Sequence, residues 1–460
     1  MENRVTRFLY DNSPPFFRNF SASIFGLVKK HTRYTGDFGY WLEFFSNNRL
    51  ASHEELLAIQ NKKLREQLRI ASTEVPFYQS LFSKLSIDIS EINSINDLHK
   101  LPILEKEQIR KAGWDLVNKR WPKNDIKSYY TSGSTGTPLM IPRPKYIEQM
   151  EYAFLQARHF GKELANQPYS SFTGVEVIPA KNSKPPFWVD NWANNQRVYS
   201  VFHISDKNLP YYYESLNKRY SKYILGHPSA IFHIANFLLK NNLKLDNPPD
   251  YIFCSSEELQ PQYREAIEQA FGSEIRNRWG QSEFIGSITT RDCGHLHYDM
   301  DYSILEFETV ETKDDGSIIA EIISTNVLDT VWPLIRYRTG DLVEYHPDDK
   351  CHKGYPGKVI RAIHGRTGSF FTLPNGTRIS NISVIAKKCR DIKLMQVVQN
   401  EEGSIIVNVV PEQGYSRESE KVILESFRSK VGTDLRINIK LVNDIQKTKS
   451  GKYLYIVNNL

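Results

Sequence analysis

The texture of this chain changes near Ile126 and again near residue 366, and these two breaks limit the folds open to it. Before the first break, Leu56, Leu57, Leu64 and Leu68 recur at helical spacing among Glu54, Lys62, Lys63 and Arg65, which predicts an amphipathic helix. A basic amphipathic helix can lie on a membrane, but a domain helix with a solvated face is the plainer reading. The first fifty residues are aromatic and basic without clear periodicity, and Pro76, Pro102 and Pro122 punctuate the chain between this helix and Ile126. After Ile126 come short apolar runs and glycine-bearing turns. Tyr251–Cys254 and Ile275–Trp279 read as strands around a helix at Gln262–Phe271. Ser303–Val310 and Ser317–Ser324 flank Asp314-Asp315-Gly316, a strong hairpin signal. Leu334–Tyr337 and Leu342–Tyr345 predict two more strands meeting at a Thr339-Gly340-Asp341 corner.

Beyond the second break the pattern restarts. Strands are expected at Met395–Gln399, Ile405–Val410 and Leu435–Leu441, with a turn at Glu401-Glu402-Gly403 and a helix at Glu418–Lys430. That sequence of elements has the size of a small α+β domain. The fold class is therefore α/β and α+β multidomain. A large N-terminal domain, residues 1–365, holds mixed β-sheets packed by helices, with 1–125 mostly helical. A small α+β C-terminal domain follows at 366–460, the boundary falling near Gly365–Ser369.

Length and composition agree with a large folded enzyme or receptor of about three units. The chain has 460 residues, 40 % of them apolar and 24 % charged, enough to pack a core and too many to leave the chain disordered. A net charge of +6 suits an anionic ligand or an anionic membrane face, so peripheral membrane contact stays open. The positive charge is scattered rather than striped, which argues against a nucleic-acid partner. Four cysteines without a CxxC pair do not form a disulfide framework. The opening residues lack the basic start and apolar run of a secretion signal. Phe20–Val28 and Ala230–Leu239 are too short to span a bilayer. A soluble, cytoplasmic protein is expected.

Several segments carry chemistry. Thr131-Ser132-Gly133-Ser134-Thr135-Gly136 interleaves glycine with hydroxyl donors, a composition able to wrap phosphate oxygens. An ordinary surface loop has the same composition, and no Gly-Lys-Ser/Thr follows, so a P-loop NTPase is disfavoured. Glu283 follows a strand end and Gly280, where a hard oxygen ligand suits Mg²⁺; a surface carboxylate is the plainer alternative. Asp341 could accept ribose hydroxyls or simply cap a turn. Arg366 stands at the domain boundary, and Lys452 in Thr448-Lys449-Ser450-Gly451-Lys452 near the C-terminus.

In this order the five segments resemble the adenylate-forming superfamily of acyl-CoA synthetases, peptide-synthetase adenylation domains and luciferases, over residues 126–452. Val75-Pro76-Phe77-Tyr78, Gly226-His227-Pro228-Ser229, Ser255-Ser256-Glu257 and Gln396-Val397-Val398-Gln399 are similar to the phenylacetate–CoA ligase branch, particularly its capsular-polysaccharide members. The resemblance implies ATP and Mg²⁺ as cofactors, a carboxylic acid substrate, and a thiol (coenzyme A) or an amine as acceptor. It implies that Thr131–Gly136 cradle the β- and γ-phosphates and Glu283 ligates Mg²⁺. Asp341 would hold the ribose, Arg366 the ribose or a phosphate, and Lys452 would bridge the carboxylate and α-phosphate from a mobile lid. The adenine would sit near Ser256, Glu257, Trp279 and Gly280. Two departures stand out: Thr367-Gly368 follows the hinge arginine where an acidic residue is usual, and Tyr453-Leu454-Tyr455 follow Lys452.

A structural Zn²⁺ is a separate question. Relatives in this branch place Cys and His near Cys293-Gly294-His295-Leu296-His297 and a Cys-x-Cys near Cys351, here interrupted by Lys353. Zinc at Cys293, His297 and Cys351, with His352 as a substitute ligand, is one reading. Free thiols and surface histidines are the simpler one. Three functions remain: a ligase in capsule or O-antigen synthesis, an aryl-CoA ligase in catabolism, and a nucleotide-binding protein without turnover. The acid-binding span, about residues 150–260, is rich in Tyr, Asn and Lys, which points to a polar acid. The sequence leaves the oligomeric state open.

Overall fold

A computed structural model describes residues 4–130, 139–179, 182–205, 207–257, 259, 261–366, 371–374, 378–379, 391–445 and 456–460. The chain divides into two compact units. The first takes residues up to Tyr129, Met140–Thr339 and Glu344–Ala362; the second takes Tyr130, Leu139, Gly340–Val343 and the chain from Ile363 onward.

The first unit opens with helices. α1 (Arg4–Asn12), α2 (Pro15–Arg33) and α3 (Phe38–Asn47) occupy the stretch that shows no clear periodicity in the sequence. α4 (His53–Glu74) starts at a reciprocal cap: Ser52 Oγ accepts from Glu55 N and Glu55 Oε2 accepts from Ser52 N. It stops because Pro76 forces Val75 into an extended conformation and then opens α5 (Pro76–Leu85) at its first position. Leu56, Leu64 and Leu68 are buried, so α4 is a domain helix. Its buried Gln60 and Gln67 donate to the carbonyls of Met300, Ser303 and Asp329, tying it to distant chain. α6 (Lys106–Ala112), the pair β1 (Ile126–Tyr130) and β2 (Met140–Pro144), and α7 (Lys145–Phe154) follow. A π-helical turn, Leu155–Phe160, extends α7.

A nine-stranded sheet then forms. Its strands are β3 (Tyr169–Phe172), β4 (Trp188–Asn191), β5 (Gln196–Tyr199), β6 (Tyr223–Gly226), β7 (Tyr251–Ser255), β8 (Glu274–Gly280), β9 (Ser287–Thr290) and β10 (Leu296–Tyr298), with β14 (Val359–Ile360) from later chain. The spatial order is β14-β10-β9-β8-β7-β6-β3-β5-β4. The five strands from β5 to β8 are parallel, and the flanking strands antiparallel. α8 (Leu209–Lys218), α9 (Pro228–Lys240) and α10 (Pro261–Phe271) cover one face. Phe172, Ile224, Ile252, Cys254 and Ile275 on the strands meet Tyr212, Ile231, Ile234 and Ile267 on the helices. Each such aliphatic or phenyl side chain contributes about 1.5–3 kcal/mol. Burial pushes the Cys254 thiol up to about 12, so it is an inert core residue.

β11 (Ser303–Thr312) and β12 (Ile318–Asn326) form the expected hairpin. Gly316 adopts φ +82° in its turn, and Asp315 accepts from Ser317 N. The expected corner at Thr339-Gly340-Asp341 is instead part of one strand, β13 (Tyr337–Tyr345), with Gly340 at φ +77° inside it. Leu334–Arg336 is not a strand. Asn326 claims Leu334 N through its side chain, its own N–H goes to Leu334 O, and Arg336 sits at φ +51°.

In the second unit, β15 (Ala362–Arg366) and the short pair β16 (Phe371–Thr372) and β17 (Arg378–Ile379) precede a four-stranded sheet. β18 (Ile392–Glu401) and β19 (Ser404–Pro411) are antiparallel across Gly403, which adopts φ +71°. α11 (Arg417–Val431) crosses to β20 (Arg436–Leu441), parallel to β19, and β21 (Ile456–Asn458) runs parallel to β18. Ile423 and Phe427 of α11 fill a core with Val397, Ile405, Val407 and Ile456. The strand–strand–helix–strand order matches the sequence reading, with β21 as an addition.

Candidate functional site

β7 and β8 are parallel neighbours with Ser255 opposite Arg278, so the segments after them emerge side by side at the carboxyl edge of the sheet. Ligands of open α/β sheets settle at this edge. The geometry thus gathers Ser256, Glu257, Trp279, Gly280 and Glu283 into one region. Ser256 adopts φ +69° and Phe284 φ +54°, a left-handed backbone that side chains other than glycine rarely take. Glu257 is partly committed: its Oε2 accepts from Ser229 N in the first turn of α9, where a carboxylate also suits the helix dipole. Trp279 is buried, and a Cβ on Gly286 would lie 2.8 Å from its ring, so only glycine lets that chain pass.

Glu283 is 4 % exposed, yet no donor among the described residues reaches its buried Oε1. An ionised carboxylate left in that state is costly unless a cation or donor completes it. Arg143 is close by but engaged: its guanidinium donates to Ser282 O and lies over the rings of Tyr129 and Phe284, at 4.6 and 4.1 Å. The hard, orphaned oxygen fits Mg²⁺. Asp341 and Arg366 belong to the second unit; Asp341 lies in β13 and the backbone of Arg366 ends β15. Thr131, Ser132, Gly133, Ser134, Thr135, Gly136 and Lys452 lie outside the described residues.

The second feature is a chamber of about 1280 Å³ on the sheet face opposite α8–α10. Strand residues two apart point to one face, and here Tyr223 and Leu225, Phe253 and Ser255, and Gln196 and Val198 do so. α2 and the α7 π-helical turn form other walls. Single π-helical turns mark functional sites often; this one brings Leu155, His159 and Phe160 to the chamber. Burial, then Arg278 and Arg276, hold the His159 imidazole well below its usual range, so it is neutral. Arg278 pairs with Glu151 at 2.7 Å, and Tyr302 OH donates to the other Glu151 oxygen at 2.6 Å. Ser255 lines the chamber immediately before Ser256, so chamber and carboxyl-edge crevice adjoin.

Two parts of this arrangement escaped sequence reasoning. The chamber draws on α1 and α2, far outside the acid-binding span, and its aliphatic and aromatic walls are less polar than that span's composition implies. His227, which precedes α9 at the end of β6, has a buried Nδ1 without a partner among the described residues. Its signal was the Gly226-His227-Pro228-Ser229 segment, which marks a branch of the family rather than a role.

Elsewhere in the first unit, Cys293, His295, His297 and Cys351 place one ligand atom each within 4.8 Å of one another. The β9–β10 turn does this: Gly294 at φ +81° reverses the chain, and Cys293 Sγ lies 3.3 Å from His297 Nε2. The fourth member is His295 rather than His352, whose ring stands edge-on against His295 at 5.6 Å. Two thiols and two imidazoles on this scale fit tetrahedral Zn²⁺.

The C-terminal residues 371–459 match a family model described as the CapK C-terminal domain. The whole chain is 28 % identical to protein CapK of Staphylococcus aureus, across 99 % of this chain and all of that one. A phenylacetate–coenzyme A ligase of Thermus thermophilus is 22 % identical over 68 % of this chain and 71 % of its own. The chain is thus similar in sequence to CapK and to phenylacetate–coenzyme A ligases. Its fold matches a 2-hydroxyisobutyryl-CoA ligase solved with 2-HIB-AMP and CoA, with TM-score 0.57, 15 % identity, and coverage of 89 % of this chain and 91 % of that one. The same ligase solved in a postadenylation state gives TM-score 0.54 over 89 % and 90 % of the two chains, at 17 % identity. Among the described residues no helix is long and apolar enough to cross a membrane.

Proposed function

We propose that the chain is an ATP-dependent, AMP-forming ligase that activates a carboxylic acid as its acyl-adenylate and passes the acyl group to a thiol or amine, in capsule or O-antigen polysaccharide synthesis. The carrying observation is the buried Glu283 at a parallel-sheet carboxyl edge, its Oε1 without a donor among the described residues, next to a chamber large enough for an acid. The acid's carboxylate oxygen bonds to the α-phosphorus of ATP and the bond to pyrophosphate breaks. Because the nucleophile is already an anion, charge stabilisation on the phosphates matters more than a base. Mg²⁺ on Glu283 would neutralise triphosphate charge. Thr131–Gly136 would donate to the phosphates, Ser256, Glu257, Trp279 and Gly280 would frame the adenine, Asp341 and Arg366 the ribose, and Lys452 the reacting carboxylate. The Cys293, His295, His297 and Cys351 set would hold a structural Zn²⁺.

An aryl-CoA ligase is the second reading, supported by similarity to phenylacetate–coenzyme A ligases over two-thirds of the chain. The chamber volume disfavours so small an acid, since it exceeds the roughly 300–1,000 Å³ that encloses drug-sized ligands. ATP–pyrophosphate exchange across aryl acids, fatty acids, amino acids and uronic acids separates these readings. Exchange with a bulky acid supports the first, and exchange with phenylacetate followed by thioester formation the second. Silence with every acid overturns both.

A further inference from the structure

α2 is amphipathic in the inverted sense. At about 100° per residue, Phe16, Phe17, Phe20, Ile24, Phe25, Leu27 and Val28 fall within half of its circumference. All seven are 50–64 % exposed. The opposite, polar side is the one that meets the protein. Asn19 Oδ1 accepts from Asp190 N at 3.0 Å and Ser23 Oγ from Trp192 N at 2.9 Å. Lys30 donates to Asn166 Oδ1 at 3.0 Å, and Lys29 and Arg33 both pair with Glu148. Gly26 lies so near the Asn191 amide that a Cβ would collide with it. Phe8 and Leu9 of α1 and Trp192 beside Phe16 enlarge the exposed apolar surface. A helix that turns its polar side inward and its phenylalanines outward is not built to face water.

We infer that α1 and α2 form a surface that docks on an anionic lipid bilayer. Charge selects this occupant. Residues 4–33 carry six Lys and Arg against the single acid Asp11; of these Arg18 is buried, and Lys29 and Arg33 share the Glu148 carboxylate, which leaves the segment a net positive charge. A basic helix with Phe, Leu and Trp on its apolar side is the composition that lies in the headgroup region. A second copy meeting this face about a two-fold axis would bring two positively charged segments together, which is unfavourable. Phe17 and Phe25 belong to the exposed surface and also line the chamber, so the chamber opens where the bilayer would lie.

The test is flotation of the full chain with vesicles, which needs neither ATP nor acid and so fails independently of the ligase reading. Binding is expected to vesicles of phosphatidylcholine and phosphatidylglycerol in equal parts, to be weaker on phosphatidylcholine alone, and to fall as salt rises. The triple variant Phe20→Glu, Ile24→Glu, Leu27→Glu removes apolar area without touching the chamber lining. It should lose binding at least about tenfold with an unchanged thermal melt. Should it fail to fold, the serine triple Phe20→Ser, Ile24→Ser, Leu27→Ser replaces it with the same expectation. Absence of flotation with anionic vesicles overturns the inference, as does a folded triple variant that floats like the parent. Sedimentation as a dimer that the triple variant dissolves, without vesicle binding, would assign the face to a second copy and overturn it too.

Discussion

Glu283 and Asp329 are both buried carboxylates, and their partners set their different uses. Asp329 receives Val331 N at 2.9 Å, Trp332 N at 3.1 Å and the Tyr146 hydroxyl at 3.2 Å, while burial pushes its carboxyl up to about 6. The folded form therefore binds its proton more tightly than the unfolded chain does. Its contribution is full below about pH 4 and is lost as pH rises through about 6. Asp329→Asn keeps the acceptor and removes the titration. Between pH 4 and pH 7 the parent should lose stability relative to this variant, by on the order of 3 kcal/mol, read from denaturant unfolding at each pH. Among the described residues Glu283 has no such donors on Oε1. Glu283→Gln should cut pyrophosphate exchange ~10²–10³-fold while leaving the melting temperature unchanged or raised, because the buried Oε1 it alters has no donor among the described residues to lose. An unchanged exchange rate would remove Glu283 from the site. The sequence offers Glu283 as a metal ligand by its place after a strand and a glycine, but its isolation depends on side chains remote in the chain.

Single elements carry two further expectations. The Ser52–Glu55 box is local and four residues long; Ser52→Ala should cost about 1 kcal/mol in unfolding experiments and leave exchange intact. The metal cluster is the opposite case, because Cys351 lies far from the β9–β10 turn in sequence. Neutral imidazole is the ligating form, and burial, reinforced by Arg291, lowers His297 to about 4. Purified protein should contain about one equivalent of zinc by elemental analysis. Cys351→Ser should lower that content and the melting temperature together. Full loading in this variant would rule the thiol out as a ligand. His295 rather than His352 completes the set because alternate residues of a strand and its turn converge differently from a simple count of spacing.

At the scale of the molecule, the proposed lysine should separate two half-reactions. Lys452→Ala is expected to abolish pyrophosphate exchange while still transferring the acyl group from a chemically prepared acyl-adenylate; loss of both to the same degree would contradict its assignment. The sequence alone determined the pieces whose signals are local. These are α4, the Asp314-Asp315-Gly316 hairpin, the strand–strand–helix–strand tail, and the order of segments that resembles the adenylate-forming superfamily. Tertiary structure decided what each piece faces. Gly340 continued a strand where a corner was expected, because its positive φ lets the backbone pass without ending the pairing run. No clear periodicity marked α2 in the sequence, and nothing there said that its polar side would be the one to find Asp190, Trp192 and Glu148. Burial and partnership are properties of pairs of residues brought together by sheet register and helix packing. A linear pattern records only one member of each pair.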